Sequence, residues 1–160
     1  MQVLSSILFT LSLWFQIDVG TVRANFEKSA DSKEDTETLY QSLKSYSKSD
    51  PVLLAYKGAA YGLKARYVED RKTKKDLFIS GAKDIEAAVA AASENVEIRF
   101  IRLVIQENTP NVLKYKANIH EDKQMILANF AKQTKAVQET VRRYAVKRSK
   151  VFTASELSKL

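Results

Sequence analysis

Residues 50–65 read DPVLLAYKGAAYGLKA, and their pattern decides the fold class. Asp followed by Pro is a helix-start signal. The Asp50 carboxylate can accept from N–H groups of the first turn, and Pro51 needs no N–H of its own there. Leu53, Tyr56, Ala60, Leu63 and then Tyr67 recur three or four residues apart, which gives one apolar face at the helical period. This spacing predicts a helix over 51–68. Gly58, Ala59, Ala60 and Gly62 leave one flank of it nearly bare. A glycine inside a helix costs about 1 kcal/mol relative to Ala, a cost that close approach of another helix offsets. Residues 75–92 supply a matching small surface in Gly81, Ala82, Ala87, Ala88, Ala90 and Ala91.

Outward from this pair the chain stays helical in character. It holds four Gly and two Pro, and Val/Ile/Thr alternation of strand type is scarce. The expected class is all-α, in antiparallel helix pairs, either tetratricopeptide-like or an irregular bundle, with five to six helices. Before the central pair, Ser32 can cap a helix over 33–46, with Glu34, Asp35 and Glu37 in its first turn. After it, Asn95 caps a helix that ends near Thr109-Pro110, and residues 111–118 form a loop. Helices over 119–134 and 137–152 follow. No Gly or Pro separates those two, which leaves open a single long kinked helix. Thr153-Ala-Ser-Glu156 is a capping-box pattern for a short last turn.

The small-against-small pairing resembles tetratricopeptide repeats. Tyr56, Ala60 and Leu63 match the first helix of that motif, and Gly81, Ile85 and Ala88 match the second. Ser93-Glu-Asn95 stands where the repeat carries its turn. The connection between the helices is about nine residues too long for the repeat and the turn proline is missing, so at most one and a half repeats match, over residues 51–130. DPVLLAYKGAAYGLKA and NVEIRFIRLVIQENTPNVLKYKANIHEDKQMILANF also resemble stretches of uncharacterised exported helical proteins of Gram-negative bacteria. That resemblance implies a periplasmic helical domain and brings no catalytic residues with it.

The first seventeen residues, MQVLSSILFTLSLWFQI, carry no charged side chain. The apolar run over 3–15 is shorter than the roughly 20 residues that span a membrane and suits a signal-peptide core. Val22-Arg23-Ala24 offers a small residue for cleavage, so residues 1–24 are expected to be a signal peptide. Residues 25–160 are then a single helical domain, periplasmic or secreted. The basic n-region usual in such signals is missing. There is no cysteine, which excludes disulfides, thiolate metal sites and a Cys nucleophile.

Helix 95–109 is the most unusual segment. Val96, Ile98, Phe100, Ile101, Leu103, Val104 and Ile105 cover roughly 220° of its circumference, so it should be central. Arg99, Arg102 and Gln106 share the remaining stripe. They are candidate binding residues for a carboxylate, phosphate or peptide terminus. The competing expectation is internal pairing with Glu86, Glu121 or Asp122.

The chain carries a net charge of +7. One basic cluster is Lys64, Arg66, Arg71, Lys72, Lys74 and Lys75. The other is Lys132, Lys135, Arg142, Arg143, Lys147, Arg148 and Lys150. Its basic surface, with Arg142, Arg143, Lys147 and Lys150 foremost, could attract anionic lipid headgroups or another polyanion, or could simply be a solvated face. Nucleic acid is not expected, because no recognised module or aromatic platform accompanies the charge. His120, the only histidine, reads as a surface residue of a helix start. His-Glu-Asp on successive helical positions cannot converge on one metal. No metal or cofactor is expected. There is also no serine in a nucleophile-elbow context and no Gly-rich phosphate loop.

These features predict an exported, non-enzymatic interaction or scaffold module whose partner is a protein or peptide. The first alternative is a polyanion or membrane-surface binder using the basic C-terminal helix, with the anionic envelope surface as partner. An enzyme is the third.

Overall fold

The computed structural model describes residues 17–47 and 49–160, and all regular structure among them is helical. The helices are α1 (Val19–Ser29), α2 (Lys33–Leu43), α3 (Pro51–Ala65), α4 (Arg71–Ala91), α5 (Val96–Asn108), α6 (Ile119–Asn129), α7 (Lys135–Lys147) and α8 (Ala154–Leu157), with 3-10 turns at Asn111–Leu113 and Phe130–Lys132. The all-α class therefore holds. The apolar run over 3–15 lies outside the described residues.

Most helices begin on a side-chain cap that accepts from a first-turn N–H. Asp18, Ser32, Asp50, Asp70, Asn95, Thr134 and Thr153 play this part for α1 to α5, α7 and α8. In α8 the Glu156 side chain also closes the expected capping box with Thr153.

There are eight helices among the described residues, where five or six were expected. The additional ones are α1, which straddles the stretch read as the end of a signal peptide, and the single capped turn α8. Helix α4 begins four residues earlier than the spacing predicts, because Asp70 caps it ahead of the charged run 71–75. The chain between α6 and α7 is not one kinked helix. It tightens into the 3-10 turn at Phe130–Lys132, becomes extended at Gln133 (φ −81°, ψ 160°), and restarts on the Thr134 cap.

Helix α3 is the hub, lying against α1, α2, α4 and α5. Among the described residues its contact with α4 is the most extensive. A Cβ built on Gly58 would sit 2.5 Å from the Gly81 carbonyl oxygen and 2.8 Å from Ile85 Cγ1. One built on Gly81 would run into the Gly58 carbonyl. Backbone thus meets backbone, which only glycine permits. Gly62 shares this contact only through its backbone nitrogen, 3.0 Å from a Cβ built on Gly81; a Cβ on Gly62 itself meets only Ile105 Cγ2, at an ordinary 3.7 Å.

Helix α5 is the second buried element. Its apolar residues Val96 to Ile105 are all inside, and so are Glu97, Arg99, Arg102 and Gln106. Tyr56, Leu39, Leu43, Ile85 and Ile126 fill the space around α3 and α5. At the N-terminal side Val22 and Phe26 of α1 enter the same core, with Phe26 edge-on to Tyr56 at 5.4 Å between ring centroids. The Ala24 cleavage point expected from the sequence therefore falls inside a packed helix.

Candidate functional site

The polar stripe of α5 is engaged internally. Arg102 donates from Nε to Asp122 Oδ2 (2.8 Å), from Nη2 to Asp122 Oδ1 (2.7 Å) and from Nη1 to Glu86 Oε2 (2.8 Å). Arg99 donates from Nη1 to Asp122 Oδ1 (2.9 Å) and Glu121 Oε1 (2.7 Å), and from Nε to the Ser93 carbonyl (2.7 Å). Burial works against the charge on Arg102, but Asp122 and Glu86 outweigh it and hold the guanidinium above its usual pKa. Gln106 closes the stripe by exchanging bonds with Asn118, Nε2 to Oδ1 at 3.2 Å and backbone N to Oε1 at 3.1 Å. All three candidates from the sequence thus come together as a lock between α4, α5 and α6.

The second basic cluster divides. Arg142 donates to the Leu160 carbonyl at 2.6 Å and stacks 5.4 Å from the Phe130 ring. Lys150 is exposed, and its backbone N–H donates to Glu107. Arg143 and Lys147 instead line a cleft of about 1400 Å³. His120 is exposed on the second residue of α6, away from this cleft.

The cleft lies between the ends of several helices. Its floor is apolar: Phe26, Leu63, Phe100, Val104 and Ile105, with Gly62 leaving room beside Ile105. Its rim is cationic. Arg66, Arg71, Lys74 and Lys75 come from one basic cluster, and Arg143, Lys147 and Arg148 from the other, with Lys28 added from α1. The lining acids are Glu27 and Asp31, so eight cations face two carboxylates.

Both acids are held by the rim itself. Glu27 accepts from Thr140 Oγ1 (2.6 Å) and from Arg143 Nε and Nη2 (3.1 and 2.8 Å), and Asp31 takes Arg148. Burial of Glu27 raises its carboxyl pKa, but the bonds from Arg143 and Thr140 prevail and leave it lowered. The Arg148 bond lowers Asp31 likewise. These pairs clamp α7 to the end of α1. Arg71, Lys74, Lys75 and Lys147 are exposed and take no part in the ion pairs among the described residues.

The polar groups on the floor are also committed. Asn108 Nδ2 donates to the Val104 carbonyl (2.8 Å) and to Tyr144 Oη (2.9 Å), Thr109 Oγ1 donates to the Ile105 carbonyl (2.7 Å), and Tyr144 Oη donates to Glu107 (2.9 Å). No buried side-chain nitrogen or oxygen among the described residues lacks a partner. The floor therefore offers dispersion and desolvation, and the rim offers positive charge.

Sequence reading found the cations but not their convergence, which depends on how α4 and α7 pack. It missed Lys28, Glu27, Asp31 and the apolar pair Val112-Leu113 at the cleft edge. A signal for that pair was present: two apolar residues in an otherwise polar loop between Pro110 and Lys114. Comparison with protein-family models, with curated proteins and with solved structures finds no match to this chain.

Proposed function

We propose that this chain is an exported, non-enzymatic binding module whose working surface is the cleft, and that its ligand is an amphiphile with an apolar body and an anionic group. One observation carries the reading. Two basic clusters some seventy residues apart in sequence converge on the rim of one apolar cleft. The apolar floor takes the body by the hydrophobic effect and the rim takes the anion. The volume exceeds the roughly 300–1,000 Å³ of ordinary small-molecule sites, which suits a long-chain ligand. A peptide lying extended in the floor would need bonds for its backbone, and the floor groups are already committed. On this proposal the processed chain keeps Phe26 and Glu27, which line the site. The tetratricopeptide-like reading is kept for α3 and α4 alone, supported by the Gly58–Gly81 contact.

The test is a titration with dansyl-labelled undecanoic acid and with the uncharged alcohol of the same length. The acid should bind saturably and more tightly than the alcohol. The Lys74→Glu/Lys147→Glu variant should weaken the acid alone. Gly62→Leu should place its side chain in the cleft, abolishing binding of both probes while melting as the unaltered protein does. Acid and alcohol binding alike, or a Gly62→Leu variant that binds normally, would remove the proposal. Uptake of an acidic amphipathic peptide in place of the fatty acid would return the partner to the protein or peptide class.

A further inference from the structure

The loop at the cleft mouth exposes apolar surface where a folded domain has no use for it. Val112 is 82% exposed and Leu113 41% exposed. They are adjacent on the 3-10 turn Asn111–Leu113, and Lys114, at φ 50°, reverses the chain after them. Single exposed apolar residues are ordinary on a protein surface. This pair is different in its setting, because it shares one opening with the exposed cations Arg71, Lys74, Lys75 and Lys147. Ile79, 52% exposed, stands four residues after Lys75 on the same side of α4.

We infer that the cleft mouth is a docking face for a lipid bilayer carrying anionic phospholipid, with Val112 and Leu113 entering the interface and the rim cations lying on headgroups. The inference goes beyond the ligand reading of the cleft and can fail without it. Charge complementarity selects an anionic partner, and the apolar tip selects among anionic partners. A soluble polyanion gains nothing from a projecting Val-Leu pair, whereas a bilayer interface takes up such residues beside a basic patch. Attraction to anionic headgroups adds up over several Lys and Arg and weakens as salt screens it. Among the described residues no helix is long and apolar enough to cross a membrane, and the proposed contact is made at the bilayer surface. A molecule seated in this way turns the cleft opening toward the membrane, where long-chain anionic amphiphiles reside.

The experiment is co-sedimentation of the full chain with vesicles of phosphatidylcholine plus phosphatidylglycerol, against phosphatidylcholine alone. Binding should need phosphatidylglycerol and fall with salt. Val112→Glu/Leu113→Glu and Lys74→Glu/Lys75→Glu should each lose about tenfold in affinity. Val112→Ser gives a milder loss and controls for charge placed on the tip. Equal binding to both vesicle types would overturn the docking face, as would a Val112→Glu/Leu113→Glu variant that binds normally. So would equal capture of that variant and the unaltered chain on heparin with no vesicle binding by either. The Gly62→Leu variant separates the two readings. It should still dock when its cleft is filled, while a protein that takes up the fatty acid but ignores vesicles keeps the cleft reading and sinks this one.

Discussion

Arg102 and Asp122 form a two-point pair, Nε to Oδ2 and Nη2 to Oδ1, with the carboxylate fully enclosed and the arginine side chain 4% exposed. Arg99 adds a third bond to the same carboxylate, so one buried Asp balances two buried Arg from the preceding helix. The pair is affordable because every donor and acceptor around it is met. Removing the shared acid strips Arg102 Nε and Nη2 of their buried partner and leaves Arg102 only Glu86, and Arg99 only Glu121 and the Ser93 carbonyl.

Asp122→Ala should therefore cost about 3–5 kcal/mol in a denaturant melt, the range for breaking a buried pair. Glu121→Ala touches the same Arg99 from an exposed position and should cost less than about 1 kcal/mol. Equal small losses in both variants would show that α5 and α6 are not locked through Asp122.

The glycines give a second contrast. Gly58→Ala pushes a methyl group to within 2.5 Å of the Gly81 backbone carbonyl, where neither helix can yield without separating. The expected loss is in the range of about 1–3 kcal/mol for overpacking, or above it. Gly62→Ala has room at its Cβ and should be neutral or stabilising by up to about 1 kcal/mol through helix propensity. Thermal melts of the two variants check the pair. A Gly58→Ala protein as stable as the unaltered one would show that α3 and α4 lie farther apart.

Periodicity made the long central helices legible. In α3 and α5 the apolar positions, the Asp50-Pro51 start and the Asn95 cap all point the same way. The Arg99 and Arg102 partners were legible too, since a nearly all-apolar helix leaves two cations few places to go. Helix α1 was not legible, because Val22 and Phe26 stand only four residues apart just behind an apolar run that suggested an export signal. Convergence of the two basic clusters was not legible either. It depends on Glu27 and Asp31 clamping Arg143 and Arg148, pairs more than a hundred residues apart in sequence, which no local pattern encodes.

Three tyrosines set the alkaline limit of the fold. Tyr56 donates to Glu97, Tyr115 to Glu86 and Tyr144 to Glu107, at 2.7, 2.7 and 2.9 Å. Burial, then the neighbouring carboxylate, raises each phenol above its ordinary value of 10. A raised pKa means the neutral phenol is favoured in the fold. The stabilisation is full below pH 10 and is lost as pH climbs from there toward the folded values. Tyrosinate absorbance of these residues should appear together with loss of helical circular dichroism. Free titration near pH 10 with the helix intact would contradict this.

The acid limit has the opposite sign. Bonds from the Thr153 backbone and from Lys123 lower Glu156 to about 2, and Arg99 lowers Glu121. Depressed carboxyl values stabilise the fold above the ordinary 4.5, and that contribution drains away as pH falls from there toward 2. Melting temperature should be flat near neutrality and fall below pH 4.5, less steeply in Glu156→Gln. A fall that begins well above pH 5 would point to other groups.

The last prediction concerns where the folded unit begins. Arg23 donates to both Glu97 oxygens, Nε to Oε1 at 2.8 Å and Nη2 to Oε2 at 3.0 Å, while Tyr56 donates to Oε1 from the other side. Val22, one residue earlier, is 3% exposed. A chain that starts at Asn25 loses the Asp18 cap, the Val22 side chain and the arginine that balances a nearly buried carboxylate. Burial of a Val contributes about 1.5–3 kcal/mol, and a stranded acid costs a comparable amount, so the loss should be on the order of 4 kcal/mol. A chain that starts at Asp18 keeps all three groups and should melt as the full chain does. Glu97→Gln in the shorter chain should recover part of the loss, since an amide needs no counter-charge and still accepts from Tyr56. Equal melts for the chains starting at Asp18 and at Asn25 would mean that α1 does not hold the fold together.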